Sequence, residues 1–312
     1  MPVHFLKKPS EVLPVKNMQY LLHSHLHGRE PHRGSKTIHA SALTKEDPTA
    51  IFCPREVALS DLTKKKQTDG WISTSEQVTF GIGHALQALV VGWFADMNRA
   101  IGHWRCLACN HLHEFQNRPI KCDHRDPGAG ICGCRAFEAE EVRFTSALNG
   151  ASCGIDMLFN NGSPKLRIAE IKTMAPDEFK KLMAPLAEHR IRTALYLRIV
   201  EESNTYWKKR IDTSCAEVLY VSKGGYGVQD LGLKKWGLPE TFSPFKHFII
   251  KRDHKSVDEH AEQARKVFAF RNGTEPIPVG ICEIPMLKRA QACGMVKACF
   301  SGDFPSGSMC HS

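Results

Sequence analysis

Three absences narrow the reading before any motif is considered. The 312 residues contain no run of about 18 apolar side chains, the length that reads as a transmembrane helix, so no membrane span is expected. The opening MPVHFLKKPSEVLPV has no apolar core of the kind a secretory leader carries, and the expectation is an intracellular, cytoplasmic protein. Neither an internal repeat nor a low-complexity tract occurs, which sets aside repeat arrays and compositionally disordered chains. Charge is not extreme either: 42 Lys and Arg against 33 Asp and Glu leave a formal +9. That excess suits a nucleic-acid partner without requiring one. The chain is long enough to bury a full core and still carry an insertion.

What the chain has in plenty is cysteine, with 12 in all. Disulfides do not persist in a reducing compartment, so this count points to metal binding. The cysteines are grouped: five lie between Cys106 and Cys134 and four between Cys282 and Cys310, with Cys53, Cys153 and Cys215 apart. Composition divides the rest. Residues 1–40, rich in His, Lys and Pro, read as a loosely ordered lead-in, and 41–102 as the first part of a folded domain. Within that part, 75–100 has apolar residues at helical spacing and reads as a buried helix. Residues 103–137 shift sharply toward Cys, His, Gly and Pro, as an inserted small module would. The main core then spans 138–300, with 301–312 as a tail.

Strands are expected over about 138–146, 152–159 and 165–173. Pro176 and Asp177 open a helical region running to about 202, bent at Pro185. Further strands are expected at 215–223 and 246–253, and a helix with an acidic start at 256–270. The core order is therefore α-β-β-β-α-β, an α/β fold with the cysteine module inserted after the first helix.

The stretch GIDMLFNNGSPKLRIAEIKT (154–173) carries the chemistry. Asn161-Gly162 between two apolar, β-branched segments is a hairpin signal. Folding near Ser163 sets Asp156 across from Glu170, and alternation along a strand gives Glu170 and Lys172 one face and Ile171 the other. Hydrolysis of a phosphodiester needs a cation that polarises the phosphate and lowers the pKa of the attacking water. Mg²⁺ and Mn²⁺ take oxygen ligands, here Asp156, Glu170 and the Ile171 carbonyl. Lys172 is placed to orient water or to stabilise charge on the phosphate.

In the insertion, Cys106-x₂-Cys109 reads as one half of a tetrahedral Zn²⁺ site of the zinc-ribbon kind. The closing pair is open at this level: Cys132 with Cys134, Cys122 with Cys134, or His124 as a substitute. His103, His111 and His113 read as surface residues. Three basic runs could meet phosphates: Lys64-Lys65-Lys66, Trp207-Lys208-Lys209-Arg210 and Lys251-Arg252. Trp207 could stack on a base.

GID…EIK in the order α-β-β-β-α-β resembles the PD-(D/E)XK nuclease superfamily, with its restriction-endonuclease-like core, and within it the RecB-like exonuclease branch. Members place a Gly-x-x-His on the first helix, matched here by Gly81-Ile82-Gly83-His84, and the resemblance implies that His84 joins the cation site. The family's Gln-x-x-x-Tyr motif falls on HRIRTALYLRI, where Tyr196 is present and Arg192 stands in place of glutamine. The resemblance makes Arg192 and Tyr196 candidate DNA contacts. KTIHASALTKEDPTAIFCPREVAL resembles the opening of the subgroup that includes CRISPR-adaptation nucleases and phage exonucleases. There one cysteine before the first helix and three after the core hold a 4Fe-4S cluster that staples the ends of the domain. The matching residues are Cys53, Cys282, Cys293 and Cys299, with Cys310 as an alternative to one of them. The resemblance thus implies a metal-dependent DNA exonuclease acting at DNA ends in recombination, repair or phage DNA processing. A DNA-trimming role in CRISPR adaptation and a non-cleaving DNA-binding scaffold are the alternatives.

Overall fold

The computed structural model describes residues 37–44, 52–63, 74–126, 128, 130–224 and 243–301. The lead-in up to residue 36, Lys64-Lys65-Lys66, and Cys310 with the tail beyond 301 lie outside the described residues. Strand β1 (Ile38–His39) and the single turn α1 (Ala40–Leu43) come first, then α2 (Pro54–Thr63) and the long α3 (Thr74–Asp96). Strands β2 (Ala100–Cys106), β3 (Leu112–Gln116), β4 (Arg125–Asp126), β5 (Gly130–Ile131) and β6 (Phe137–Glu140) follow. Next are β7 (Val142–Thr145), β8 (Ala151–Ile155), β9 (Met157–Phe159) and β10 (Leu166–Met174). Helices α4 (Pro176–Lys181) and α5 (Ala187–Glu202) lead to β11 (Ile211–Ser222) and β12 (Phe245–Lys251). Helices α6 (Asp258–Arg271), α7 (Lys288–Ala292) and α8 (Val296–Ser301) end the described chain.

The fold is mixed α/β. The main sheet runs β12-β11-β10-β9-β2-β3, with β6 also paired to β2, and a smaller sheet runs β1-β8-β7. Parallel strands need a crossover, and α4 with α5 supplies it between β10 and β11. Pro176 sits at the start of α4, where its missing N–H costs nothing. The helical region is more than bent at Pro185: residues 182–186 are not helical, and α4 and α5 are separate helices. Proline disfavours a helical conformation in the residue before it, so the break falls there.

Strand β10 is buried along most of its length, as a strand covered on both faces should be. On one face Leu195, Tyr196 and Ile199 of α5 pack with Ile168, Val218 and Tyr220. On the other, Val90, Val91 and Ala95 of α3 pack with Met157, Ala169 and Ile171. Each such aliphatic side chain stabilises the fold by about 1.5–3 kcal/mol when fully buried.

Five departures from the sequence-based expectation are seen. The 138–146 strand is two strands broken at Glu141, and 152–159 is two strands broken at Asp156; each break is where the chain leaves one sheet for the other. Strand β2 belongs to the main sheet at Ala100 and to the cysteine-rich insertion at Cys106, so the two are continuous. Residues Ile38 and His39 are not loose lead-in but pair in parallel with Ala151 and Ser152. Helix α3, expected to be buried, buries only Val90, Val91 and Ala95 among its described residues: Phe80 is 54% and Ile82 48% exposed, whereas Val90 is 2%. Its segment Gln77–Asp96 is long and apolar enough to cross a membrane by length and composition. No unbroken apolar run marks it in the sequence, because Gly81, Gly83, His84 and Gln87 interrupt the run.

Candidate active site

The hairpin of β9 and β10 pairs Ala169 with Met157 and Ile168 with Leu158, a register that sets Glu170 opposite Asp156. On the other side β7 and β8 pair Val142 with Ile155, so Glu141 falls opposite Asp156 from that direction. Asp156 therefore stands at the break between the two sheets, with a carboxylate across from it on each side. Its Oδ2 accepts the Ile171 N–H at 2.7 Å, and its Oδ1 accepts Gln87 Nε2 from α3 at 2.9 Å. Burial, and after it the Glu170 charge, pushes the Asp156 carboxyl well above the usual carboxylate range; Glu141 adds to the same effect.

Glu170 is 1% exposed. Its Oε1 lies 2.6 Å from Lys172 Nζ and accepts the Tyr196 hydroxyl at 3.4 Å. Its Oε2 is buried without a hydrogen-bond partner among the described residues. An unpartnered buried polar atom costs about 1–3 kcal/mol, more if charged, so this oxygen calls for a cation or a donor. Burial works against the Lys172 ammonium, but the neighbouring Glu170 and Asp156 carboxylates outweigh it and hold the pKa above the ordinary lysine value. Lys172 is thus protonated at neutral pH.

The surroundings are buried and polar. His189 is pushed down to about 4 by burial and then by the Lys172 ammonium, so it is neutral. Its Nδ1 lies 2.8 Å from the Tyr220 hydroxyl, which accepts the Leu186 N–H at 3.0 Å. Tyr220 is the β11 residue in register with Lys172. Burial, together with the Glu170 and Asp156 charges, raises the Tyr196 hydroxyl well above its usual value and keeps it a donor.

The geometry alters several sequence-level assignments. Tyr196 is 3% exposed and turned to Glu170, which leaves it no surface for DNA; it supports the carboxylate instead. Arg192 is not a free surface arginine: it is ion-paired with Glu188, and its Nε lies 3.4 Å from Thr44 Oγ1. His84 is exposed on α3 and has no hydrogen-bond or ion-pair partner among the described residues. The α3 residue that touches Asp156 is Gln87, one turn after Gly83, whose missing side chain lets the helix come close to Thr173 (an added Cβ would lie 3.1 Å from Thr173 Oγ1). Sequence reasoning missed Gln87, Glu141 and His189. A Gly-x-x-x-Gln repeat facing a strand is a signal for Gln87 only in hindsight; the other two are set by tertiary register alone.

Two cysteine sets assemble away from this site. The Sγ atoms of Cys106, Cys109, Cys122 and Cys132 lie within 4.8 Å of one another and could hold a metal ion. Cys134 is not in the group: its sulfur accepts the Ala136 N–H at 3.3 Å. His113, read from sequence as a surface residue, is buried with Nε2 3.3 Å from Cys122 Sγ. Cys53, at the start of α2, and Cys282, Cys293 and Cys299, near α7 and α8, line one pocket, partly open to solvent, together with Glu56 and Met295. Burial raises the Cys293 thiol to about 11. Arg55 ties the same ends together through hydrogen bonds to Pro278 O (3.4 Å) and Cys299 O (3.5 Å).

The basic runs are partly spoken for. Lys208 Nζ is bonded to Ser203 O at 2.5 Å, Trp207 stacks on Phe115 at 4.3 Å between centroids, and Arg252 pairs with Glu201.

No family model and no curated protein sequence matches the chain. Among solved structures it is similar to the alkaline exonuclease LHK-Exo from Laribacter hongkongensis, at 10% identity and a TM-score of 0.40, over 81% of this chain and 93% of that one. LHK-Exo in complex with dAMP is similar over 76% and 88%, at 10% identity and a TM-score of 0.35. The crystal structure of SSO0001 is similar over 81% and 83%, at 13% identity and a TM-score of 0.36. Likeness at these values carries no argument about activity, so the case for one rests on the carboxylates, the lysine and the thiols themselves.

Proposed function

We propose that the chain is a metal-dependent DNA exonuclease of the RecB-like PD-(D/E)XK type. The observation that carries the reading is the buried, unpartnered Glu170 Oε2, held beside Asp156 and a protonated Lys172. Two carboxylates packed side by side in a core are costly, and a hard divalent cation relieves that cost. The residues to hold Mg²⁺ or Mn²⁺ are Asp156, Glu170 and the Ile171 carbonyl. His84, one turn before Gln87 on the same helix, completes the set. Such a cation supplies Lewis-acid polarisation of the phosphate and a more acidic bound water.

The chain's own residues do the rest. Gln87 and the Ile171 N–H fix both oxygens of Asp156, so its outer lone pairs keep one direction. Tyr196 and Lys172 hold Glu170 Oε1 and leave Oε2 turned elsewhere. A lysine that stays protonated cannot accept the proton of a water, so Lys172 acts as a donor to the developing phosphate charge. The Cys53, Cys282, Cys293 and Cys299 pocket offers the four thiolates that a 4Fe-4S cluster takes, as a staple between residues far apart in sequence.

The test is cleavage of end-labelled linear and of circular DNA with Mg²⁺ or Mn²⁺. Wild type should shorten linear DNA only when metal is present, and Lys172→Ala should lower the rate by about 10²–10³-fold. Cutting of the circle would point to an endonuclease. Anaerobically prepared protein that binds DNA but cleaves neither form would overturn the enzyme reading in favour of a scaffold.

A further inference from the structure

We infer that Cys106, Cys109, Cys122 and Cys132 form a closed, structural zinc site that clamps the strand beside the Asp156 hairpin, with Cys134 outside it. Cys106 and Cys132 Sγ lie 3.7 Å apart, and Cys109 and Cys122 Sγ 3.6 Å. Bonds of about 2.3 Å to a tetrahedral zinc set sulfurs about 3.8 Å from one another, so these pairs already have the required spacing. The backbone is shaped to match. Asn110, after Cys109, and Gly133, after Cys132, take left-handed φ of 62° and 67°. Their N–H groups return to Cys106 O at 3.0 Å and Cys122 O at 2.9 Å. The first bond closes a tight turn over Cys106 and Cys109, and the second brings the Cys132 segment back beside Cys122.

Cys134 serves the loop in another way. Its carbonyl accepts the Cys122 N–H at 2.7 Å, and its sulfur is taken by Ala136. Buried His113 presents Nε2 to Cys122 Sγ at 3.3 Å, the outer hydrogen bond that steadies a metal-bound thiolate. Four thiolates leave no open coordination position, so the site stabilises structure and does no chemistry.

Its reach into the fold runs along β2. Cys106 is the last residue of that strand, and Ala100 and Ile101 at the other end pair with Phe159 and Leu158 of β9, directly after Asp156. Between them Trp104 packs in one cluster with Met157 and Ile171. Loss of the ion would release the Cys106 end and take from β9 its outer neighbour. None of this depends on the nuclease reading.

Elemental analysis of the full chain tests the ligand set. About one zinc per chain is expected in wild type and in Cys134→Ser, and none above background in Cys132→Ser. Zinc kept by Cys132→Ser, zinc lost by Cys134→Ser, or iron in place of zinc at this site would overturn the assignment. Hydrogen exchange tests the clamp. Amides of β2 and β9 should exchange roughly tenfold faster after zinc is stripped, the factor that goes with about 1.4 kcal/mol, and should recover on re-addition, while α5 and β11 stay protected. Unchanged exchange in β2 and β9 would refute the clamp. Stripped and reloaded wild type carries this arm even where Cys132→Ser fails to fold.

Discussion

Asp156 is where sequence and tertiary structure meet most tightly. Its pKa is raised by burial and by Glu170, which fixes the sign of a pH effect. A carboxyl whose folded pKa lies above its unfolded value stabilises the fold fully below the unfolded pKa, near 4, and loses that stabilisation as pH rises through the folded pKa. In chelator, Asp156→Asn should therefore melt a few degrees above wild type at pH 7, and the gap should close below about pH 4. With Mg²⁺ or Mn²⁺ added, wild type should gain melting temperature and the variant should not. Melting curves across pH, with and without metal, check both halves; an Asp156→Asn protein less stable than wild type in chelator at pH 7 refutes the account. Asp156, Glu170 and Lys172 were legible because a hairpin signal and a two-residue period define their geometry locally. Gln87, Glu141 and His189 were not, since each meets the site through a contact that only the packing of α3, β7 or α5 creates.

At the scale of elements, the turn between β7 and β8 makes a specific demand on the backbone. Gly150 has φ +65°, and a Cβ there would lie 2.7 Å from Phe268 Cγ on α6. A side chain adds left-handed strain to a steric clash at the base of a ring, so Gly150→Ala should lose about 2–4 kcal/mol in denaturant titration. A loss under about half a kcal/mol would mean that α6 yields freely. The order of the main elements was readable from periodicity, because the segments 152–159 and 165–173 are apolar and parted by Asn161-Gly162. The two breaks at Glu141 and Asp156 were not, since nothing local distinguishes a long strand from one that changes sheets. Helix α3 shows the opposite failure. Its apolar spacing speaks for burial, yet among its described residues only Val90, Val91 and Ala95 are buried, packed with Met157, Ala169 and Ile171.

Over the whole molecule, the sequence ends of the described domain are brought together. Helix α2 packs on α6 and α8, Arg271 pairs with Asp61 at 2.8 Å, and Arg55 reaches Pro278 and Cys299. An iron–sulfur staple through Cys53, Cys282, Cys293 and Cys299 would reinforce contacts already there. Cys299→Ser, prepared without oxygen, should accordingly lose the brown cluster absorbance yet keep its far-ultraviolet circular dichroism, with proteolysis starting near residues 280–300. Full wild-type absorbance in that variant would remove Cys299 from the ligand set. Asp156, meanwhile, belongs to neither sheet and joins both. A slip of β7 and β8 along β9 and β10 would be felt there as a change in the spacing of negative charge, so mechanical alignment and electrostatic alignment share one coordinate. An ion drawn between Asp156 and Glu170 would act as a rivet through the seam, and stiffness of the two-sheet assembly would rise and fall with its occupancy.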